Sequence, residues 1–461
     1  MRYTKKLVTL LLSLAILLSL SGCSKIKAGN GISKQTGPAG EPLVIYCPAY
    51  SGGGAEGRIF LTASRIFTEN YGIEVELYPA PTMLEKDDSS YLNHQIKLAA
   101  DIMTGHGPDI FILLANWSNI DDFMKKIHSK AFCDLNKYIE SDTDFSLEHY
   151  NQVIMDAGVF EGCRYIIPLS YIVPLLFASQ TDLTEQGFSA DDFSSYEKFL
   201  SDWENLNDKG ITLLDGIYSI NMLSHVGWFD ECLDFENGTV DLELDSFRRL
   251  AELMANERRI MERDKSPTIF GTGDSQSDND ENQTMQRGGL FYLTLYLSGY
   301  EFWVINNQQP GELNAVFPVP NAFGRITGYM NDYCLVSESC KNKDAAWSFI
   351  KIMLSEEVQN SWYDSALSLG APVRKGDIDK YIDDINRFQG FNTESMDSVL
   401  KERIKAEQLK IYNSCDNAVI PNLKGMLLFE QMADYIFDGQ LNEFEKVKTK
   451  AANYFRIYLS E

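Results

Sequence analysis

The first hundred residues of the body alternate between strand-like and helix-like segments, and this alternation constrains the fold more than any other feature. Apolar, strand-like runs occur at 43–47, 73–77 and 110–114. Amphipathic stretches at about 55–71 and 94–104 separate them. The order strand–helix–strand–helix–strand is typical of an α/β fold whose mostly parallel sheets are flanked by helices.

The spacing of apolar residues predicts which helix faces pack on this sheet. The first helix carries Ile59, Ala63 and Phe67 on one face. The second is amphipathic through Ile96 and Met103, with Ala99 and Ala100 between them. Two further amphipathic helices are predicted at 345–362 and 441–459.

The N-terminus predicts an export signal. A positively charged segment precedes a mostly apolar run at 7–20, which is shorter than the roughly 20 residues of a transmembrane helix. It ends in Leu20-Ser21-Gly22-Cys23, which resembles a bacterial lipobox. We expect residues 1–22 to be removed, Cys23 to carry the lipid and residues 23–42 to form a flexible tether. The alternative is an ordinary signal peptide with an incidental cysteine.

The net charge of −25, from 41 basic and 66 acidic residues, excludes two classes of partner. Nucleic-acid binding needs a basic surface that displaces counterions, and attraction to anionic lipid needs a polybasic patch. We therefore expect no nucleic-acid partner, and membrane attachment only through the lipid on Cys23.

The remaining cysteines do not form a disulfide framework, because their number is odd and no Cys-x-x-Cys pair occurs. The same spacing argues against a zinc site. We interpret them as small core residues, with one or two disulfides as the alternative. They are Cys47, Cys133, Cys163, Cys232, Cys334, Cys340 and Cys415.

Two segments resemble known binding motifs but are not interpreted as such sites. Gly52, Gly54 and Gly57 fit the dinucleotide-binding pattern G-x-G-x-x-G. Three adjacent glycines meet that pattern easily by chance, and an exported protein meets little NAD or ATP. We interpret the segment as a turn that brings a helix N-terminus to the carboxyl edge of the sheet, and we expect no cofactor.

An acidic stretch that begins at Asp278 resembles the start of a calcium-binding EF-hand loop. Gln283 stands where that loop needs glycine, and Gly289 stands where it needs a bidentate glutamate. We interpret 271–284 as a polar surface loop. No catalytic or metal-ligating constellation is predicted anywhere in the chain.

Five segments together, in order, resemble the extracellular solute-binding proteins of ABC importers, in the sugar-binding group that includes the maltodextrin-binding proteins. Gly105–Asp109 resembles the G-x-G-P-D turn of that group, and Ala131–Leu135 its A-F-x-D-L step. Tyr165–Tyr171 resembles the first crossover between lobes. Asn342–Phe349 and Ser355–Gln359 resemble a helix with the pattern N-K-x-A-A-W-x-F and its continuation.

The resemblance implies a type II binding-protein fold, in which two lobes enclose the ligand and close about a hinge. By the order of the matching segments, the first lobe comprises 41–168 and 333–388. The second lobe comprises 169–332 and 389–461.

A sugar site needs aromatic surfaces for C–H faces and short polar side chains for hydroxyls. Such residues occur where loops follow predicted strands and at the two crossovers; the resemblance places sugar contacts at the loop with Asn116 and Trp117. Asp109 is predicted to order its turn rather than to touch the ligand. The predicted contacts are Tyr50, Ser51, Asn116, Trp117, Ser170, Tyr171, Trp228, Tyr296, Tyr329 and Asp332.

We therefore expect a monomeric, non-enzymatic receptor that is anchored by its lipid to the outer face of the bacterial membrane. It should capture a carbohydrate, which we expect to be an oligosaccharide, and deliver it to an ABC permease. The two N-terminal loops lack the charged pairs frequent in the maltodextrin group, so another oligosaccharide fits equally well. The alternatives are a peptide or polyamine receptor and an exported glycosidase. A polyamine requires clustered carboxylates, and Asp332 is the only acid among the predicted contacts. A glycosidase requires two carboxylates that flank the scissile bond.

Overall fold

The structure of the protein is a computed structural model. Its body, Ala39–Glu461, forms one unit. The residues that the structure describes are 41–48, 55–80, 88–113, 123–189, 195–213, 233–234, 237, 239–241, 245–264, 290–294, 314–319, 321, 323–361, 370–380, 398–420 and 443–460.

The described residues contain both helices and strands, which alternate from residue 43 to residue 128. The strands are β1 (Leu43–Tyr46), β2 (Val75–Leu77), β3 (Ile110–Leu113), β4 (Val159–Phe160), β5 (Cys163–Arg164), β6 (Ile167–Ile172), β7 (Leu175–Ser179), β8 (Leu233–Asp234), β9 (Thr239–Val240), β10 (Tyr292–Thr294), β11 (Asn314–Pro318), β12 (Thr327–Val336), β13 (Ala371–Pro372) and β14 (Asn417–Val419). The helices are α1 (Ala55–Tyr71), α2 (Asp88–Thr104), α3 (Phe123–His128), α4 (Asn136–Ser141), α5 (Gln152–Asp156), α6 (Gln180–Glu185), α7 (Tyr196–Asp208), α8 (Asp245–Asp264), α9 (Lys343–Met353), α10 (Glu356–Ser361), α11 (Ser398–Asn413) and α12 (Phe444–Ser460), with short 3-10 helices at Leu147–His149 and Lys375–Asp377.

A seven-stranded sheet in the order β13-β6-β12-β3-β1-β2, with β14 added to β12, contains the predicted N-terminal strands. β1 runs parallel to β2 and β3. β12 runs antiparallel to β3 and β6, and β13 runs antiparallel to β6. The α/β class is confirmed, but the sheet is mixed rather than mostly parallel, because strands from later in the chain are inserted beside the parallel trio.

The two faces of this sheet are covered by different helices. On one face, α1 and α9 meet through Phe67 and Phe349, whose ring centroids are 5.4 Å apart. The predicted face of α1 is confirmed, since Ile59, Ala63 and Phe67 are all buried. Burial of such apolar side chains is the main driving force for this packing.

On the other face, α2 packs through Leu98 and Ile102. The predicted face was wrong: Ile96 is 60% exposed and Met103 is 86% exposed. Apolar residues occur on more than one side of this helix, so their spacing allows two orientations. Contact of Leu98 with the underside of the sheet decides between them.

Within the described residues, the chain passes at two points between the seven-stranded sheet and a three-stranded antiparallel sheet, β10-β7-β11. The first passage follows β6 at Val173 and Pro174, and the second lies between β11 and β12. Leu169–Ile172 and Thr327–Asp332 therefore belong to the first sheet, whereas the predicted ranges gave them to the second lobe. The 3-stranded sheet is also antiparallel throughout, not mostly parallel as predicted. The division into lobes at the predicted boundaries stays a prediction.

Several predicted features lie outside the described residues, namely the export signal, Cys23, Cys232 and the acidic loop at 271–284. The six cysteines within the described ranges are free thiols, and five of them are buried. This agrees with their interpretation as small core residues. Of the described helices, none combines the length and the apolar character that crossing a membrane would require.

Candidate functional site

The parallel strands β1, β2 and β3 end at one edge of the seven-stranded sheet, where ligands commonly bind in α/β folds. Two loops with predicted contacts follow directly, after Pro48 and after Leu113. Six predicted contacts lie outside the described residues, so the structure does not locate them. They are Tyr50, Ser51, Asn116, Trp117, Trp228 and Tyr296.

An aromatic cluster occupies this edge of the sheet. Tyr46 is the last residue of β1, Tyr78 follows β2, and His94 lies on α2. The rings of Tyr46 and His94 stack with centroids 5.7 Å apart and planes inclined by 17°. The Tyr46 hydroxyl lies 3.3 Å from His94 Nε2, and Tyr78 contacts Tyr46 edge-on at 6.1 Å. This cluster was not predicted from the sequence, although a tyrosine at the end of each of two adjacent strands was a usable signal.

An ion pair on α2 fixes Tyr78. Its hydroxyl donates to Asp101 Oδ2 at 2.5 Å and accepts from Lys97 Nζ at 2.9 Å, while Lys97 also pairs with Asp101 at 2.7 Å. Burial and the hydrogen bond to Asp101 raise the pKa of Tyr78. The hydrogen bond from Lys97 lowers the pKa of Asp101. Both the phenol and the carboxylate therefore keep their ordinary charge states at neutral pH.

The pKa of His94 lies below its ordinary value. Burial is the larger cause, and the nearby positive charge of Lys97 adds to it. The imidazole is consequently neutral at pH 7, with one nitrogen available as a donor and the other as an acceptor.

A second polar cluster joins the two strands that lead between the sheets. Ser170 Oγ, on β6, donates to Asp332 Oδ2, on β12. Asn331 Nδ2 donates to the same carboxylate oxygen at 3.1 Å. The register between β6 and β12 shifts on both sides of Asp332, which marks bulges that re-aim side chains. Ser170 and Asp332 are 1% and 3% exposed, so in this structure they bind each other across the sheet.

The two tyrosines predicted beside this cluster are also buried. Tyr171 packs edge-on against Tyr412 at 5.3 Å and accepts a hydrogen bond from Asn151 Nδ2. Its exposed fraction is 0%, and burial raises its pKa far above the ordinary value. Tyr329 packs with Ile172 in a small apolar cluster. The expectation of Tyr171 as a ligand contact is therefore corrected: its ring fills the core and leaves no face open.

Asp109 orders its turn, as predicted. Its carboxylate accepts a hydrogen bond from the Val44 backbone N–H at 2.9 Å, and its own N–H donates to the Val44 carbonyl. These bonds join the start of β3 to β1, at the end of the strands opposite the aromatic cluster. Among the described residues, no group of three or more His, Cys, Asp or Glu side chains is placed to hold a metal ion.

Comparison with known families gives one match to the sequence. A family model for bacterial extracellular solute-binding proteins matches residues 65–386. No curated protein matches the chain. The family match covers well over half of the sequence.

Solved structures match almost the whole chain. The sugar-binding protein MalE from Xanthomonas citri has a TM-score of 0.58 at 16% identity, over 91% of this chain and 97% of its own. The cyclic alpha-maltosyl-1,6-maltose binding protein from Arthrobacter globiformis has a TM-score of 0.57 at 14% identity, over 90% and 99%. The ABC substrate-binding protein Lmo0181 from Listeria monocytogenes, in complex with cycloalternan, has a TM-score of 0.52 at 15% identity, over 91% and 99%. At these identities the likeness establishes the fold, and the predicted type II binding-protein fold is confirmed.

Proposed function

Because the chain belongs to the bacterial extracellular solute-binding proteins, we propose that it captures a carbohydrate and delivers it to the permease of an ABC importer. The observation that carries the proposal is the family match itself, which runs through both sheets. A protein of this extracellular family works outside the cytoplasm. The absence of catalysis is part of the proposal, since the relatives are binding proteins.

The carbohydrate class is supported by three similar structures, whose proteins are a sugar-binding MalE, a maltosyl-maltose binder and a cycloalternan complex. An oligosaccharide is the solute we propose. The aromatic residues among the proposed contacts, Tyr50, Trp117, Trp228 and Tyr296, suit such a ligand, because apolar C–H faces of sugars pack on aromatic faces while hydroxyls form hydrogen bonds.

The contacts we propose come from the loops beyond the strand ends. Ser170, Tyr329 and Asp332 are buried between strands, and we assign them to positioning those strands. The ligand contacts kept in the proposal are Tyr50, Ser51, Asn116, Trp117, Trp228 and Tyr296.

Capture works through a population shift in this proposal. A ligand that touches residues from both sheets binds the closed arrangement better than the open one, and so favours closure. The chain crosses between the sheets after β6 and before β12, which are hydrogen bonded to each other. Those two strands are the natural place for a hinge.

The attachment to the membrane follows from Cys23 in this proposal. A lipid on Cys23 and the tether 23–42 hold a monomeric body close to its permease. A single acyl chain binds membranes only marginally, so stable anchoring takes more than one chain.

A thermal-shift screen of residues 30–461 tests the function. The panel contains mono- and oligosaccharides, short peptides and polyamines. A ligand present at 100 times its dissociation constant stabilises the folded state by about 2.7 kcal/mol. We expect at least one oligosaccharide to raise the melting temperature in a concentration-dependent way.

Two results would overturn parts of the proposal. Stabilisation by a peptide or polyamine, with none by any sugar, would contradict the carbohydrate class. Conversion of the bound sugar on prolonged incubation, followed by chromatography, would contradict the non-enzymatic role and favour a glycosidase.

A further inference from the structure

His94 lies at the carboxyl edge of β1 and β2, where ligands commonly bind in α/β folds. It lies near the start of α2, beside the end of β1 and the residue that follows β2. Its side chain is partly exposed, whereas Tyr46 below it is buried. The first predicted contact loop begins just after Cys47 and Pro48, two residues beyond Tyr46.

One nitrogen of this imidazole is uncommitted. Nε2 faces the Tyr46 hydroxyl at 3.3 Å. Nδ1 has no hydrogen-bond partner among the residues that the structure describes. If Tyr46 donates to Nε2, Nδ1 carries the proton and is a donor; in the other tautomer it is an acceptor. A hydroxyl group satisfies either form, because it both donates and accepts.

The ring is held in place before any ligand arrives. Tyr46 stacks against it, and Tyr78 contacts it at 6.5 Å between centroids. Tyr78 is in turn fixed by Lys97 and Asp101. Pre-ordered side chains of this kind bind tightly because little conformational entropy is lost on association.

We infer that His94 is a solute-contacting residue whose imidazole hydrogen bonds a hydroxyl of the bound carbohydrate, with Tyr46 and Tyr78 as positioning residues. This inference rests on the proposed function and names one contact within it. The two tyrosines contact the imidazole ring and fix its position, and Nδ1 is left to hydrogen bond with the ligand. His94 thus extends the binding surface from the loops onto the first turns of α2.

The contact has a pH signature that a purely structural histidine lacks. Among the described residues, the titratable and charged groups around the ring are Tyr46 on β1, Tyr78 after β2 and Lys97 on α2, and Asp101 is bound to both Tyr78 and Lys97. Bound ligand removes further water from the imidazole and lowers its pKa again. Binding is then linked to the neutral form, so affinity weakens as pH falls through the lowered pKa that His94 has in the free folded protein.

The test uses isothermal titration with the sugar identified by the thermal-shift screen, at pH values from 5 to 8. His94→Phe keeps the stacking on Tyr46 but removes both nitrogens, and should weaken binding about tenfold at pH 8. His94→Gln keeps a donor and an acceptor but does not titrate. It should retain more affinity than His94→Phe and lose the weakening at low pH. His149→Gln, at an exposed histidine far along the chain, is the matched control and should behave as wild type.

The outcomes separate the inference from the proposed function. If the wild type binds a sugar and both His94 variants match its affinity and its pH profile, His94 is not a contact and the inference is wrong. If the wild type binds no carbohydrate, the proposed function itself is wrong. Should His94→Phe fail to fold by circular dichroism, the pH profile of His94→Gln decides alone.

Discussion

Ser170 on β6 and Asp332 on β12 are hydrogen bonded to each other between two buried strands that both lead to the second sheet. A buried carboxylate is stable only when donors satisfy it. Ser170→Ala removes one donor and leaves Asp332 with a poorer set of partners. We expect a loss of about 1–3 kcal/mol in the free energy of unfolding.

Urea denaturation measures that loss, with Ser141→Ala as the control at an exposed position. Ser141 should change stability by less than about 0.5 kcal/mol. Equal stability of both variants would show that the Ser170–Asp332 bond does not stabilise the crossing strands.

Tyr171 provides a second prediction, because the structure gives it a packing role. Tyr171→Phe removes the hydroxyl that accepts from Asn151 and should cost about 0.5–1.5 kcal/mol of stability. Tyr171→Ala also empties a large core volume and should cost about 3–5 kcal/mol. Solute affinity of the folded Tyr171→Phe variant should equal that of the wild type. A marked loss of affinity in calorimetry would restore Tyr171 as a ligand contact.

The lowered pKa of His94 predicts how the stability of the ligand-free protein depends on pH. Its folded pKa lies below the ordinary value of 6.5, so the unfolded chain takes up a proton first as pH falls. The free energy of unfolding should therefore decrease as pH drops through 6.5 towards the folded pKa. Urea midpoints at pH 7.5 and 5.5 measure this change, and the decrease should be smaller in His94→Gln. An identical decrease in His94→Gln and wild type would assign it to other groups.

The contacts of Asp142, which join α4 to α9, predict a loss of stability when its carboxylate is removed. Its carboxylate accepts from Trp347 Nε1 at 2.8 Å and pairs with Lys351 at 2.5 Å. Burial alone raises the pKa of Asp142, but the hydrogen bonds from Lys351 and Trp347 outweigh burial and lower it. The ionised form is thus favoured in the folded state, and its contribution is fully present above the ordinary pKa of 3.8 and is lost as pH falls through the lower folded pKa.

Asp142→Asn should cost about 1–2 kcal/mol at pH 7, because the ion pair with Lys351 is lost. Asp144→Asn, at an exposed neighbouring carboxylate, is the control for the removed charge. A difference between the two variants that persists unchanged at pH 2.5 would contradict the ionic origin of the effect.

Cys23 predicts the attachment of the protein to the membrane. Cys23→Ser should abolish incorporation of a fatty-acid analogue in cells and release the protein from the membrane fraction. Cys163→Ser, which changes a partly exposed body cysteine, should leave both unchanged. Continued labelling of Cys23→Ser would place the lipid elsewhere, and a wild type that takes up no label would favour an ordinary signal peptide.

Local patterns predicted the helices and strands well, because the period of apolar residues is set within each segment. α1 has the predicted bounds, and β1 and β3 each end one residue earlier than predicted. The single helix predicted at 345–362 was wrong, because the chain forms two helices there, α9 and α10, which are separated at Leu354 and Ser355. The face of α2 was not predictable in this way, since both Ile96 and Leu98 fit an apolar stripe. Which of them is buried depends on contacts with the sheet.

The candidate site was predicted less completely, and the reason is again non-local. The pairing of Ser170 with Asp332 joins segments far apart in sequence, so no spacing rule indicates it. Tyr171 was placed at the correct crossover, but alternation along β6 did not reveal its burial because both faces of that strand are covered. His94 was passed over because a single histidine on a helix carries no motif.

The insertion of β12 between β3 and β6 affects the order in which an exported chain can fold. Residues 43–113 emerge first, yet β3 lacks its antiparallel neighbour until residues 327–336 have also crossed the membrane. Until then the edge of β3 exposes unpaired backbone groups that favour aggregation. A chaperone that covers open strand edges during export is therefore expected to raise the yield of this protein.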